Sequence, residues 1–546
     1  MSMRMMRLAL VLLASLLAAG QAVMADEVMA DERLAPDRSI EEVVDHHVDA
    51  GIVRAGAKAA NRADDATLAR RLTLDLVGRI PTAAETRAFV ASTDADKVSK
   101  LVDRLMASPG FVRHQADTLD ALLMAGSKGS LRDYLARALG ESRSWDRVFR
   151  EVMAADESNP GLKGSAEFLK ARAKDGDRLT NDVSIVFFGV NVSCAKCHDH
   201  PLVKDWKQDH YYGMKSFLDR TFLNGTQLGE HEYGVVKYKT TEGREKKARF
   251  LFLTDREVEV GGPEELTPEA RKAEKERLAE AKKKNEPPAA PAVSARRKLV
   301  EVALGADGGD FFARSIVNRT WARLFGPGLV MPLDQMHSEN PPSHPELLRW
   351  LARDAADHGY DLRRLIRGLV LSRAYARDGR SDSAEIPDAR LFAVAAPRPL
   401  TPLQLAASMW VATTDPAALP DDPAAADAGR RVEPLAERGR DLASKIARPG
   451  DDYQIGASEA LLMSNGDKLN DLLSEGAGRL VARMAQLPDR AGRVDLAVRN
   501  VLSRPPDDDE AALLAEYLAR RDDRPAEAAR QLVWALLTGG EFRFNH

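Results

Sequence analysis

Cysteine is almost missing from this sequence. Two residues in 546 exclude the disulfide framework that staples small secreted domains, and with 44% apolar residues the chain can bury cores without one. Aromatic residues amount to only 6%, within the range of an ordinary globular protein. Charge of one sign is lacking too. The 79 Lys and Arg against 83 Asp and Glu leave a net charge of −4, which is no footprint for nucleic acid. Beyond the first 25 residues no apolar run approaches the roughly 18 residues of a membrane span, so no transmembrane segment is expected in the remainder of the chain. No fixed-period repeat is present.

The sequence does carry an export pattern at its start. Arg4 and Arg7 precede a short apolar run from Leu8 to Ala19, and Ala22-Val23-Met24-Ala25 places small residues where a signal peptidase reads them. Residues 1–25 are therefore read as a signal peptide, and the protein as exported, periplasmic or extracellular. Helical spacing dominates the N-terminal half: Leu68, Leu72 and Leu76 repeat at intervals of four before Gly78 and Pro81 stop the pattern. Thr82 with Glu85, Ser343 with Glu346 and Thr401 with Gln404 each have the spacing of a capping box. Helices are expected at 111–124, 131–139, 145–155, 208–218, 311–325 and 347–358. Strands are expected at 235–238, 250–253 and 258–260. Residues 263–297 are rich in Lys, Glu, Ala and Pro and read as a solvated linker with one exposed helix near 269–284.

The two cysteines fall together, in Cys194-Ala195-Lys196-Cys197-His198. On a helical turn, Cys-x-x-Cys turns both thiols to one side, where they can add to the two vinyl groups of a haem. The histidine directly after them is placed to ligate the iron. Cys194 and Cys197 are thus the candidate thioether anchors and His198 the candidate proximal ligand, binding the metal. Three other readings stay open: a disulfide active in thiol exchange, a zinc site using Cys194, Cys197, His198 and His200, and a purely structural turn. For the sixth iron position the candidates are His210 and Met214, four apart on one helix face, or none, with Met331, Met336 and His337 further off. His200 stands too close to His198 to reach the opposite haem face.

The stretch from Cys194 to Pro201, with Trp206, Asp209, Tyr211-Tyr212-Gly213 and Phe217, resembles the planctomycete cytochrome-c-like domain of unknown function. Residues 68–82 (LARRLTLDLVGRIPT) and 101–111 (LVDRLMASPGF) match its N-terminal portion. Residues 312–330, 340–351, 372–375, 503–506 and the closing segment to His546 resemble its usual companion, the planctomycete-specific C-terminal domain of unknown function. The resemblance implies two domains and a haem role for the cysteine motif, and supplies no activity. His114-Gln115-Ala116-Asp117 departs from the Trp-rich pattern of relatives. His210 stands where relatives are acidic, which counts against a shared axial role.

The expected fold is mainly α: two helical domains, 26–262 with a small β insertion after the motif and 298–546, separated by the charged linker 263–297. The function expected is covalent haem c binding with one-electron transfer between unidentified redox or protein partners. The competing expectation is a non-enzymatic binding or scaffold protein with a structural haem, metal or disulfide. Ser343, His344 and Glu346 suggest a hydrolase only until the capping box accounts for two of them, so a catalyst is the less favoured reading.

Overall fold

The computed structural model describes residues 37–381, 385–423, 425, 428–447 and 456–546; the expected signal segment lies outside them. The fold is mainly helical, 57% helix and 5% strand. A succession of short helices opens it: Ile40–Arg54, Asp65–Val77, Ala83–Ala91, Lys97–Ala107, Pro109–Leu123, Arg132–Gly140 and Trp145–Ala154. Local chemistry sets their ends. The Asp64 carboxylate caps the second helix by accepting from Thr67 N at 2.8 Å, and Gly78 closes it at φ +74°, a conformation only glycine adopts without strain. The capping boxes Thr82/Glu85 and Thr401/Gln404 both form. The third does not. Ser343 gives its amide to Leu329 O at 2.7 Å and its hydroxyl faces His344 Nδ1 at 3.1 Å. The helix Pro345–Asp357 therefore starts from His344, and Glu346 pairs with Arg349 instead.

The helices Gly176–Phe188 and Gln208–Leu218 flank the cysteine motif, and the β insertion comes after them. Its best-formed part is the hairpin Thr221–Asn224 with Gln227–Glu230, which the alternation pattern missed. Its two-residue turn has Gly225 at φ +69°, the glycine-first geometry that matches strand twist. Of the expected strands, 235–238 becomes the shorter Lys237–Lys239, paired with Glu245–Lys247. The other two meet only through the bridge Leu251↔Glu257. The reason is packing: Leu251 lies against Gly213, where a Cβ would fall 2.5 Å from Leu251 Cβ, so this arm folds onto the helix rather than into a sheet. The linker helix Pro268–Lys284 buries nothing, as its charge pattern implies.

Buried apolar side chains form two clusters. The first runs from Ile40 to Ala393 and crosses the linker. Trp145 stacks on Phe312 with ring centroids 6.2 Å apart, and Phe149 sits 4.9 Å from Phe312 and 4.5 Å from Phe187. The helices Phe311–Phe325 and Leu362–Leu371 are thus built into the same core as the opening helices. The second cluster gathers Leu400 to Phe542, and Leu74 and Ile80 reach into it. A polar seam joins the two. Asp75, 4% exposed, accepts from Tyr375 Oη at 2.7 Å, from both terminal nitrogens of Arg398 at 2.8 Å, and from Asn545 Nδ2 at 2.9 Å. Arg398–Pro399 pairs with Phe544–Asn545, so one buried carboxylate ties the final strand to the second helix.

Candidate functional site

Residues 193–196 make a single 3₁₀ turn after the helix Gly176–Phe188. Val192 and Ala195 are fully buried and pin the turn to the core. Its other side carries Cys194 and Cys197, both exposed free thiols, with His198 exposed beside them. The alternation of burial results from the tight turn: anchors point inward and the reactive groups outward.

Three side chains from elsewhere hold this loop, and none belongs to the motif. Gln208, at the start of the next helix, donates through Nε2 to the carbonyls of Cys197 (3.1 Å) and Lys196 (3.3 Å), and its own amide binds Asp199 Oδ1 at 2.9 Å. Tyr212 Oη donates to Lys196 O at 3.1 Å. Asp177 accepts from Lys196 Nζ at 2.6 Å, from Lys215 Nζ at 2.7 Å and from Tyr211 Oη at 2.7 Å. Burial opposes its charge, but Lys196, Lys215 and Tyr211 together hold the carboxyl well below the usual carboxylate range. Asp177 and Gln208 carry no sequence signal, because their partners lie up to dozens of residues away.

The histidines differ in what their ring nitrogens do. His198 Nδ1 lies 2.7 Å from Asp199 O. A carbonyl only accepts, so in the neutral ring this nitrogen carries the proton and Nε2 keeps its lone pair. A metal-ligating imidazole is oriented in the same way. His200 Nδ1 instead accepts from Val203 N at 3.0 Å and Leu202 N at 3.3 Å, which places the proton of the neutral ring on Nε2 and makes it a poor ligand. His210 is committed on both sides: Nδ1 accepts from Lys207 N at 3.1 Å and Nε2 contacts Asp255 Oδ1 at 3.0 Å. Desolvation keeps it neutral, with Asp255 opposing. Its task is to hold the β arm. Met214 is 0% exposed within the first core cluster. The structure thus brings Cys194, Cys197 and His198 together and turns His210 and Met214 to other work.

Among the described residues no group of three or more His, Cys, Asp or Glu is placed to hold a metal ion. The four-ligand convergence of a structural zinc is therefore not formed, whereas a thioether-anchored haem needs only one protein ligand beneath the iron. Leu202, close after the motif in the chain, is 81% exposed. In donor chemistry the residues fit the group: two free exposed thiols and one imidazole with a nitrogen to spare. Ser343 Oγ faces His344 Nδ1, and His344 Nε2 is buried with no hydrogen-bond partner among the described residues, so none of their carboxylates orients the ring.

Residues 43–222 match the family model PSCyt2, described as a protein of unknown function (DUF1549). Residues 295–443 match PSD1, described as a protein of unknown function (DUF1553). Neither the curated proteins nor the solved structures contain a match. Among the described residues no helix is long and apolar enough to cross a membrane.

Proposed function

We propose, from the premise that this chain carries a planctomycete cytochrome-like PSCyt2 domain followed by a PSD1 domain, that it is an exported c-type cytochrome-like protein that binds haem c covalently and passes single electrons. One observation carries the reading. Two free, exposed thiols share a turn with an imidazole whose Nδ1–H is fixed on the Asp199 carbonyl, leaving Nε2 for iron. Cys194 and Cys197 would hold the group and His198 would ligate it; the group would supply a one-electron couple at an exposed edge. The chain's own part is positioning. Gln208 and Tyr212 fix the carbonyls of the turn, Asp177 holds Lys196 aside, and Val192 and Ala195 seat the loop on the core. The division into 26–262 and 298–546, with 263–297 between them, belongs to this proposal as a division of the sequence, since the first core cluster is built from both parts.

The test is expression of the full chain with a cytochrome c maturation system, then a denaturing haem stain and a reduced-minus-oxidised spectrum. Haem that stays on the denatured chain, and at least a tenfold drop in it for Cys197→Ala, is the expected result. Zinc by metal analysis, with no covalent haem, would refute the reading.

A further inference from the structure

The hairpin Thr221–Asn224 with Gln227–Glu230 runs beside a cavity of about 980 Å³, a volume at the upper end of ligand-binding clefts. Residues 226–230 all line it, and no residue of Thr221–Asn224 does. The cavity therefore follows the outer edge of the second strand rather than a face of the hairpin. Glu167 and Lys170, on a short helix, and residues 287–291 of the linker stand on its other walls.

The register decides what that edge offers. His231 N donates to Arg220 O at 2.8 Å, so 220 and 231 are a hydrogen-bonded pair. Alternation along the antiparallel register makes 222 with 229 and 224 with 227 bonded pairs as well. Leu228 and Glu230 fall between them and turn their N–H and C=O groups outward. None of these four groups has a hydrogen-bond partner among the described residues. On the linker wall Pro287, Pro288 and Pro291 have no N–H with which to pair the edge.

The edge is held in place before anything binds. Asn224 Nδ2 donates to Leu278 O at 2.8 Å, and the Glu230 carboxylate accepts from Ser294 Oγ at 2.6 Å and from N and Nε of Arg296 at 3.1 and 3.2 Å. The charges on the walls are unequal in what they leave free. Lys170 is spent on Glu157 and Glu167, and Arg296 on Glu230. Lys163 and Arg297 are exposed on the lining and make no ion pair among the described residues. Against these two free cations stands one lining carboxylate without a cation, Asp156, which accepts from Ser158.

We propose that this cavity docks an extended acidic peptide segment of a partner protein, which adds a third strand to the hairpin through the outward groups of Leu228 and Glu230. The proposal does not depend on haem. For the test, the full chain is titrated, with fluorescence anisotropy as the readout, against a labelled, end-capped hexapeptide of alternating valine and glutamate and against its valine–lysine counterpart. Two further forms of the acidic peptide carry N-methyl groups, one on alternate amides and one on every amide. Leu228→Pro removes one outward donor at a position where an edge strand accepts proline, and Lys163→Glu with Arg297→Glu reverses the free charge. Circular dichroism and the urea midpoint check that each variant keeps its fold.

Wild type should bind the acidic peptide at least about tenfold more tightly than the basic one. Leu228→Pro should weaken that binding by about tenfold, the worth of one backbone hydrogen bond, and the double charge reversal should invert the preference. Methylating alternate amides leaves one donor edge and should be tolerated, whereas methylating every amide should abolish binding. If Leu228→Pro does not fold, the two methylated peptides decide. A fully methylated peptide that binds as well as the unmethylated one reveals capture by charge alone and overturns the proposal. No binding by wild type at about 1 mM peptide overturns it too, and leaves residues 287–291 as a mere cover for the edge.

Discussion

Replacing Asp75 with Asn removes one oxygen's charge and almost no volume. The carboxylate is 3% exposed at its side chain, and its partner Arg398 is 15% exposed. It accepts four hydrogen bonds, two of them from the guanidinium. An amide accepts through one atom only, and its NH₂ would point at groups that are themselves donors. Arg71, 2% exposed, has its charge favoured by Asp75 as well and would lose that support. Breaking one side of a buried pair costs about 3–5 kcal/mol. Arg398 keeps the carbonyl of Arg323, which places Asp75→Asn near the lower bound, about 3 kcal/mol, or roughly two factors of ten in the folded-to-unfolded ratio.

Urea unfolding tracked by tryptophan fluorescence, on wild type, Asp75→Asn, Arg398→Met and the double variant, measures this directly. Both single changes should destabilise. The double should recover at least about 2 kcal/mol of their sum, because it leaves no unpaired charge. A cost below about 1 kcal/mol for Asp75→Asn, or strict additivity in the cycle, would show that the seam does not hold the final strand.

Two further predictions rest on buried histidines. Gly78→Ala combines an αL backbone with a Cβ 2.4 Å from His114 Nδ1. It should lose about 2–4 kcal/mol, and a melting temperature within a degree of wild type would refute the close approach. Burial, reinforced by His47, Arg54 and Arg390, holds His344 at about 4 rather than 6.5. Below 6.5 the unfolded ring takes up a proton that the folded one refuses, so stability falls as pH drops from 6.5 towards 4, by about 3 kcal/mol from this group. His344→Gln should flatten that part of the pH–stability curve, and an unchanged slope would mean the ring is hydrated in the folded protein.

The sequence patterns reach as far as local chemistry does. The helix Gln208–Leu218 and the helix Phe311–Phe325 begin and end where spacing places them, because periodicity acts within a few residues. The cysteine turn is legible for the same reason. Ser343–Glu346 has the spacing of a capping box, yet Leu329, a distant partner, claims the serine amide. The hairpin at 221–230 hid because only Asn224-Gly225 signals its turn and its strands are four residues each. Above all, periodicity shows that a helix has an apolar face but not what covers it. The bonds from Asn191 N to Asp334 O and from Met336 N to Gly189 O, the Gln208 bonds and the reach of Leu74 into the second cluster are all long-range facts.

The stacking of Phe312 against Trp145 and Phe149 bears on modularity. Two stretches that match separate families are not separable parts here. Cutting between residues 262 and 298 would strip aromatic and aliphatic faces from both halves at once, leaving each with a sticky surface. Either stretch moved alone into another gene would carry that uncovered apolar face with it, the kind of surface that promotes association. In this chain the shared interior alone is reason enough for the two stretches to stay together.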